Sequence, residues 1–202
     1  VTHTIIKEVI SRELAEFIYQ YFLNKRKVAK HLLDTKYIPH FTESWGTWGD
    51  EQVPGTYFHY GDIVMDTLLE KVKPLVEKET SLKLNETYSY ARIYKKGDVL
   101  PRHKDRYSCE ISASVNLGGD EWPLYLEPSG EINKEGIQII MHPGDMLIYR
   151  GCDLEHWREA FEGENYGQVF LHYNDASQKD AEKNKYDTRP FLGLPVEFKG
   201  KH

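Results

Sequence analysis

Hydrophobic positions recur along this chain at two different periods. Over residues 11–33, Leu14, Phe17, Ile18 and Phe22 fall at helical spacing, and Ser11 stands before them as a cap. Residues 25–30 bring basic side chains toward the far end, where they complement the helix dipole. A second helix is predicted over about 62–78, with Met65, Leu68, Leu69, Val72, Leu75 and Val76 facing inward and Pro74 kinking it. From 87 to 174 the period drops to two. Segments at 88–94, 110–117, 123–126, 136–141, 145–149, 155–158 and 168–173 are short and rich in β-branched and aromatic residues. Gly, Pro, Asn or Asp separates each from the next.

Short strands at regular spacing indicate a sandwich or a jelly-roll barrel. The chain divides accordingly within one domain, 1–202. Residues 1–84 form a helical and loop extension packed on the core, 85–175 the β core, and 176–202 a tail. Within the tail, Pro190-Phe-Leu-Gly-Leu-Pro195 is expected to dock as an apolar anchor. The stretch 34–60 reads as long loop or short strand. Its Trp45 and Trp48 suit either a lid over the barrel mouth or aromatic packing between helices and sheet.

Composition narrows the function. Aromatic residues make up 13% of the 202, led by 14 Tyr, in keeping with pleated, half-buried surfaces. The net charge of −6 argues against broad binding to nucleic acid, which needs a positive footprint. No apolar run approaches the roughly 20 residues that span a bilayer. The start, VTHTIIKEVISREL, lacks the apolar core of an export signal. Two cysteines, Cys109 and Cys152, are too few for a disulfide framework, so a reducing, cytoplasmic setting is expected.

Candidate chemistry begins at His103-Lys-Asp105. On a strand, residues two apart project to the same face, so imidazole and carboxylate converge. His156 follows 51 positions after Asp105, just beyond the turn Pro143-Gly-Asp and an apolar strand. Two imidazoles and one carboxylate on one face of an octahedron leave positions open, the arrangement suited to non-haem Fe(II) oxygenases.

The order of these features resembles the core of Fe(II)/2-oxoglutarate dioxygenases, most closely the prolyl-4-hydroxylase-like branch. There a motif like Ala91-Arg-Ile-Tyr94, Gly97 and Pro101-Arg-His103-Lys-Asp105 precedes a strand like Ser112-Ala-Ser-Val-Asn-Leu117. The resemblance covers about 85–175. It implies an α+β, mainly β fold, a cupin-like double-stranded β-helix (jelly roll) with N-terminal supporting helices. It also implies Fe(II) on His103, Asp105 and His156, with 2-oxoglutarate as co-substrate and O2 as reactant. The substrate would be a small molecule or a peptide, hydroxylated with release of succinate and CO2.

One departure stands out. The family usually carries Arg or Lys on the strand after the last ligand to hold the distal carboxylate of 2-oxoglutarate, and here Asn165 and Tyr166 stand there. Arg158, two residues past His156 on the same strand face, is the substitute, since its rigid fork suits a carboxylate. Tyr94 aligns with a tyrosine that bonds the co-substrate in that family. Asn116, Gln168 and His172 are further pocket candidates, and Arg92, Trp45 and Trp48 are candidates for touching substrate. Two rival readings stay open: a metal-dependent cupin enzyme that uses no 2-oxoglutarate, and a jelly-roll binding module without catalysis.

Overall fold

A computed structural model describes residues 3–201. Its elements are β1 (His3–Ile6), α1 (Arg12–Asp34), β2 (Tyr57–Tyr60), α2 (Ile63–Thr80), β3 (Leu84–Lys95), β4 (Leu100–His103), β5 (Ile111–Gly119), β6 (Leu124–Leu126), β7 (Ile137–Ile139), β8 (Met146–Tyr149), β9 (His156–Arg158) and β10 (Asn165–Asp175). The Ser11 side chain accepts from the Leu14 N–H and opens α1. Asp62 does the same for α2 through the N–H groups of Val64 and Met65. α2 continues through Pro74 to Thr80. β1 and β4 are additions to the strands legible from periodicity.

The strands form two antiparallel sheets. One has six strands in the order β1-β8-β5-β10-β3-β2, and the other has four in the order β4-β9-β6-β7. Alternation sorts the residues of the larger sheet onto two unlike faces. Ala91 and Ile93 of β3, Ile111, Ala113, Val115 and Leu117 of β5, Met146 and Ile148 of β8, and Val169, Leu171 and Tyr173 of β10 share one apolar cluster with α1 and α2. The opposite face carries Tyr88, Tyr90, Arg92 and Tyr94, Ser112, Ser114 and Asn116, and Gln168 and His172. A second cluster, Leu124, Leu126, Ile139, Leu147 and Tyr149 among them, joins that face to the smaller sheet. The order of layers is therefore helices, large sheet, small sheet.

The tail docks mainly by charge; of the expected apolar anchor, Leu192 packs against the helix-side cluster and Phe191 does not. Phe191 is 70% exposed, whereas Asp187 and Arg189 are buried. Arg189 donates to Asp66 Oδ2 (3.2 Å), the Thr87 carbonyl (3.1 Å) and the Leu194 carbonyl. Asp66, on α2, also accepts from the Ser89 N–H and hydroxyl and from the Gly193 N–H. The guanidinium and the backbone donors offered this segment partners that the Phe191 ring did not have. Among the described residues both cysteines are free, and no helix is long and apolar enough to cross a membrane.

Asp66→Ala leaves the buried Arg189 charge without its anion. Urea unfolding should show a loss of about 3–5 kcal/mol, the usual cost of breaking a buried pair from one side. A change below about 1 kcal/mol would mean that the tail contributes little to stability.

Candidate metal centre

Three donor side chains meet at one end of the space between the sheets. β4 and β9 run antiparallel with His103 directly opposite His156, which brings the two rings to 4.2 Å between centroids. Asp105 joins them from a loop. β4 ends at His103, and the Asp105 N–H turns to the Gly151 carbonyl at 2.9 Å. The expectation of one strand bearing both residues is corrected accordingly: the loop, not the strand period, brings the carboxylate round. Each imidazole Nε2 lies 3.4 Å from Asp105 Oδ1, and the three ligand atoms lie within 4.8 Å of one another.

Hydrogen bonding decides which nitrogen faces the carboxylate. His103 Nδ1 sits 2.6 Å from the Pro101 carbonyl, and His156 Nδ1 sits 3.0 Å from the Leu154 carbonyl. A carbonyl only accepts, so both Nδ1 atoms carry protons and each neutral ring presents its Nε2 lone pair to Asp105. Two lone pairs and a carboxylate facing one another need a cation among them. A divalent metal fits this donor set, with second-sphere carbonyls fixing the tautomers as they do for ligating histidines. Without a metal, protons take that part. Burial would raise the Asp105 carboxyl, but hydrogen bonds from His103 and His156 hold it well below the usual carboxylate range. Burial would lower the His103 imidazole, but Asp105 and the Pro101 carbonyl raise it.

A cavity of about 310 Å³ opens beside the triad, walled by Tyr88, Tyr90, Arg92, Leu100, Phe170 and His172 among others. One strand step from the triad lies a row of polar groups. Arg92 on β3 pairs in register with Gln168 on β10, which pairs with Asn116 on β5, and Arg158 on β9 donates to Gln168 Oε1 at 2.7 Å. Arg158 also donates to the Tyr166 hydroxyl (3.2 Å) and the Trp122 carbonyl. Every one of these partners is neutral, yet Arg158 is 1% exposed. Among the described residues, seven buried side-chain polar atoms lack a partner, and five belong to this interior: Arg92 Nε, Ser114 Oγ, Asn116 Oδ1, Arg158 Nε and Gln168 Nε2. Buried polar atoms without partners are costly and rare, so this interior is a candidate place for a ligand. Two guanidiniums and an amide N–H fit a carboxylate.

The predicted residues divide into those gathered here and those that lie elsewhere. Arg158 turns inward, because its outward neighbour Trp157 stacks on Tyr125 and Glu155 is taken by Arg102. The Tyr94 hydroxyl accepts from Arg92 at 3.2 Å. Asn116, Gln168 and His172 all face the interior. Trp45 and Trp48 do not belong to the site. Trp48 packs on Tyr57 at 4.9 Å against the helix-side core, and Trp45 stays half-exposed beside Lys25 of α1. The Trp48 indole finds apolar cover at the helix layer that the polar mouth does not offer.

The same loop sends Asp50 and Gln52 to the cavity instead, and Asp50 accepts from Arg92 and Tyr90. Burial would raise the Asp50 carboxyl, but Arg92 beside it holds it below its ordinary range. Sequence reasoning missed Asp50, Gln52 and Tyr90. For Tyr90 the signal was available, since it shares the alternation of Arg92 and Tyr94.

With this geometry in place, likenesses to solved structures can be read. A prolyl-4-hydroxylase from Pseudomonas putida superimposes with a TM-score of 0.63 at 12% identity, over 87% of this chain and 94% of that one. HygX from Streptomyces hygroscopicus, solved with nickel and 2-oxoglutarate bound, gives 0.60 at 14%, over 87% and 84%. SnoN, a non-haem α-ketoglutarate-dependent epimerase of nogalamycin biosynthesis, gives 0.62 at 15%, over 87% and 77%. No protein-family model and no curated protein matches the sequence. The chain thus has the fold of non-haem 2-oxoglutarate-dependent enzymes. At these identities the likeness establishes the fold alone.

His172 supplies a pH test. Burial pushes its imidazole down to about 4, outweighing the raising effect of Asp105. The unfolded chain, with an ordinary value near 6.5, binds the proton first, so stability falls as pH drops from about 6.5 toward 4. In metal-free protein the loss between pH 7 and pH 4.5 should be roughly 2–3 kcal/mol larger in wild type than in His172→Phe. Urea midpoints at the two pH values measure it. Equal losses in both proteins would show that residue 172 is not held neutral.

Proposed function

We propose that this chain is an Fe(II)- and 2-oxoglutarate-dependent oxygenase that hydroxylates a small molecule or a peptide side chain and releases succinate and CO2. The fold is read as a double-stranded β-helix whose interior is the active site, within one domain spanning 1–202. The observation that carries the reading is Arg158, a buried guanidinium with no carboxylate partner one strand step beyond His156. A dicarboxylic co-substrate held at the triad would bring the missing anion. This also weighs against a cupin enzyme without 2-oxoglutarate and against a non-catalytic module, because neither has a use for that charge.

In this reading His103, Asp105 and His156 hold the iron. Iron with 2-oxoglutarate and O2 supplies the oxidising power that turns a C–H bond into C–OH. The rest is done by the chain. Arg158 orients the distal carboxylate, which replaces Gln168 Oε1 among its partners. Gln168 Nε2 and the Tyr94 hydroxyl are further groups for the co-substrate. Leu100 and Phe170 keep water from the space between triad and clamp. Arg92 lines the cavity but already has an anion in Asp50, so it faces substrate and serves the co-substrate less than Arg158 does.

Anaerobic titration with Fe(II) and then 2-oxoglutarate tests the proposal. A visible charge-transfer band should form in wild type and be lost in His103→Ala. Arg158→Ala should weaken 2-oxoglutarate binding by roughly 10- to 100-fold, the worth of charge-assisted hydrogen bonds, and Arg92→Ala by less. Wild-type protein with iron bound but no band, and no succinate formed from 2-oxoglutarate in air, would remove the co-substrate.

A further inference from the structure

We infer that Ser112, aided by His172, is a positioning residue that keeps Asp105 a one-oxygen ligand, with Gly151 providing the room. The inference rests on the reading of the triad as a metal site. The two oxygens of Asp105 have different surroundings. Oδ1 faces both imidazoles at 3.4 Å, while Oδ2 lies 3.2 Å from Ser112 Oγ. Ser112 Oγ is also 3.1 Å from the Cys109 carbonyl and 3.0 Å from His172 Nδ1.

A hydroxyl has one proton to give and lone pairs to receive. His172 Nδ1–H can donate to Ser112 Oγ, which leaves the hydroxyl proton for Asp105 Oδ2 or the Cys109 carbonyl. The carboxylate is the stronger acceptor, since charge-assisted bonds are about twice as strong as neutral ones. The chain His172 Nδ1–H to Ser112 Oγ–H to Asp105 Oδ2 satisfies all three groups and ties Oδ2 to the sheet.

Gly151 closes the arrangement. A Cβ at that position would collide with Asp105 Oδ2 and the Cys109 carbonyl and would sit 2.8 Å from Ser112 Oγ. Its φ is not in the left-handed region, so the glycine serves space and not backbone freedom. The same residue's carbonyl accepts from the Asp105 N–H at 2.9 Å. Backbone and carboxylate of Asp105 are thus fixed by one neighbour that has no side chain and another that has a single hydroxyl.

The consequence is a count of open positions. Three protein atoms on a six-coordinate metal would leave three sites, which 2-oxoglutarate and O2 would need. A carboxylate free to swing and bind through both oxygens would take one of them. Ser112 therefore keeps the third site available, and it does so without touching metal or substrate.

Co(II) is the probe. Its affinity for wild type, Ser112→Ala, Ser112→Thr and His172→Phe is measured by competition with a chelator, and the visible d–d spectrum of each complex is recorded, with circular dichroism to confirm folding. Ser112→Ala should bind Co(II) roughly 10- to 100-fold more weakly, the usual effect of removing an outer-sphere partner, and its band intensities should change. Ser112→Thr, which keeps the hydroxyl, should restore both. His172→Phe should shift the spectrum in the same direction by less. Wild-type affinity and spectrum in both Ser112→Ala and His172→Phe would overturn the inference while leaving the triad intact. Failure of wild type itself to bind Co(II) would remove the metal reading and this inference with it.

Discussion

The large sheet is apolar on its outer face and polar on its inner one, and most of the molecule follows from that inversion. β3 shows it in miniature. Ala91 and Ile93 lie under the helices, while Tyr88, Tyr90, Arg92 and Tyr94 turn toward the second sheet. Burying polar groups away from water costs free energy unless each finds a partner, and a charge costs more. The helix-side layer, with α1 and α2 packed on five strands, supplies the apolar burial that lets the inner face stay polar. Stability and chemistry are thereby assigned to opposite sides of the same strands.

Rigidity at the triad comes from converging devices. The two imidazoles are set by cross-strand register and by carbonyls two residues upstream of each. The loop after Asp105 is tied from outside by the tail: Asp187 accepts from both terminal nitrogens of Arg106 at 2.8 Å, from the Ser108 hydroxyl at 2.7 Å and from Tyr60 at 2.7 Å. To reach that loop, Tyr186, Asp187 and Thr188 all adopt left-handed backbone. Such conformations cost about 1–2 kcal/mol each for residues with a Cβ, and the charge-assisted bonds of Asp187 offset them. The tail is thus a brace for the segment that carries Asp105, held mainly by ion pairs, with Leu192 packed on the helix-side cluster and Phe191 left exposed.

Much of this was legible in the sequence, and what was not has a physical cause. Periodicities of 3.6 and two, with Gly, Pro, Asn or Asp bounding each apolar run, found both helices and seven strands, some of them only three or four residues long. The His103, Asp105 and His156 set was readable from order and residue type, but the route of Asp105 was not. Its position depends on a hydrogen bond to Gly151, 46 residues away, which no local pattern encodes. Trp45 and Trp48 drew attention as large aromatics in a loop, yet the loop reaches the cavity through Asp50. Asp50 was not legible because its significance comes from contact with Arg92, 42 residues away, and no local pattern shows that the loop before β2 folds back onto β3. For the tail, composition suggested an apolar anchor, which Leu192 provides in part, but the polar partners that hold the rest, Asp66 and Arg106, lie far away in sequence.

In the proposed reading, the absence of a basic residue at Asn165 and Tyr166 does not count against a dicarboxylate. Asn165 receives a hydrogen bond from Arg26 of α1, on the helix side, and so could not have served the interior whatever its charge. Tyr166 and Gln168 do face inward, and both accept from Arg158. Since β9 and β10 look into the same space from opposite sheets, a cation can reach one row of the interior from either strand. What a carboxylate requires is a fixed guanidinium at the right depth from the metal, and that depth is set by the two-residue step between His156 and Arg158 along β9. In the proposed reading, then, the cation that β10 lacks is Arg158, buried without an anion on the strand opposite.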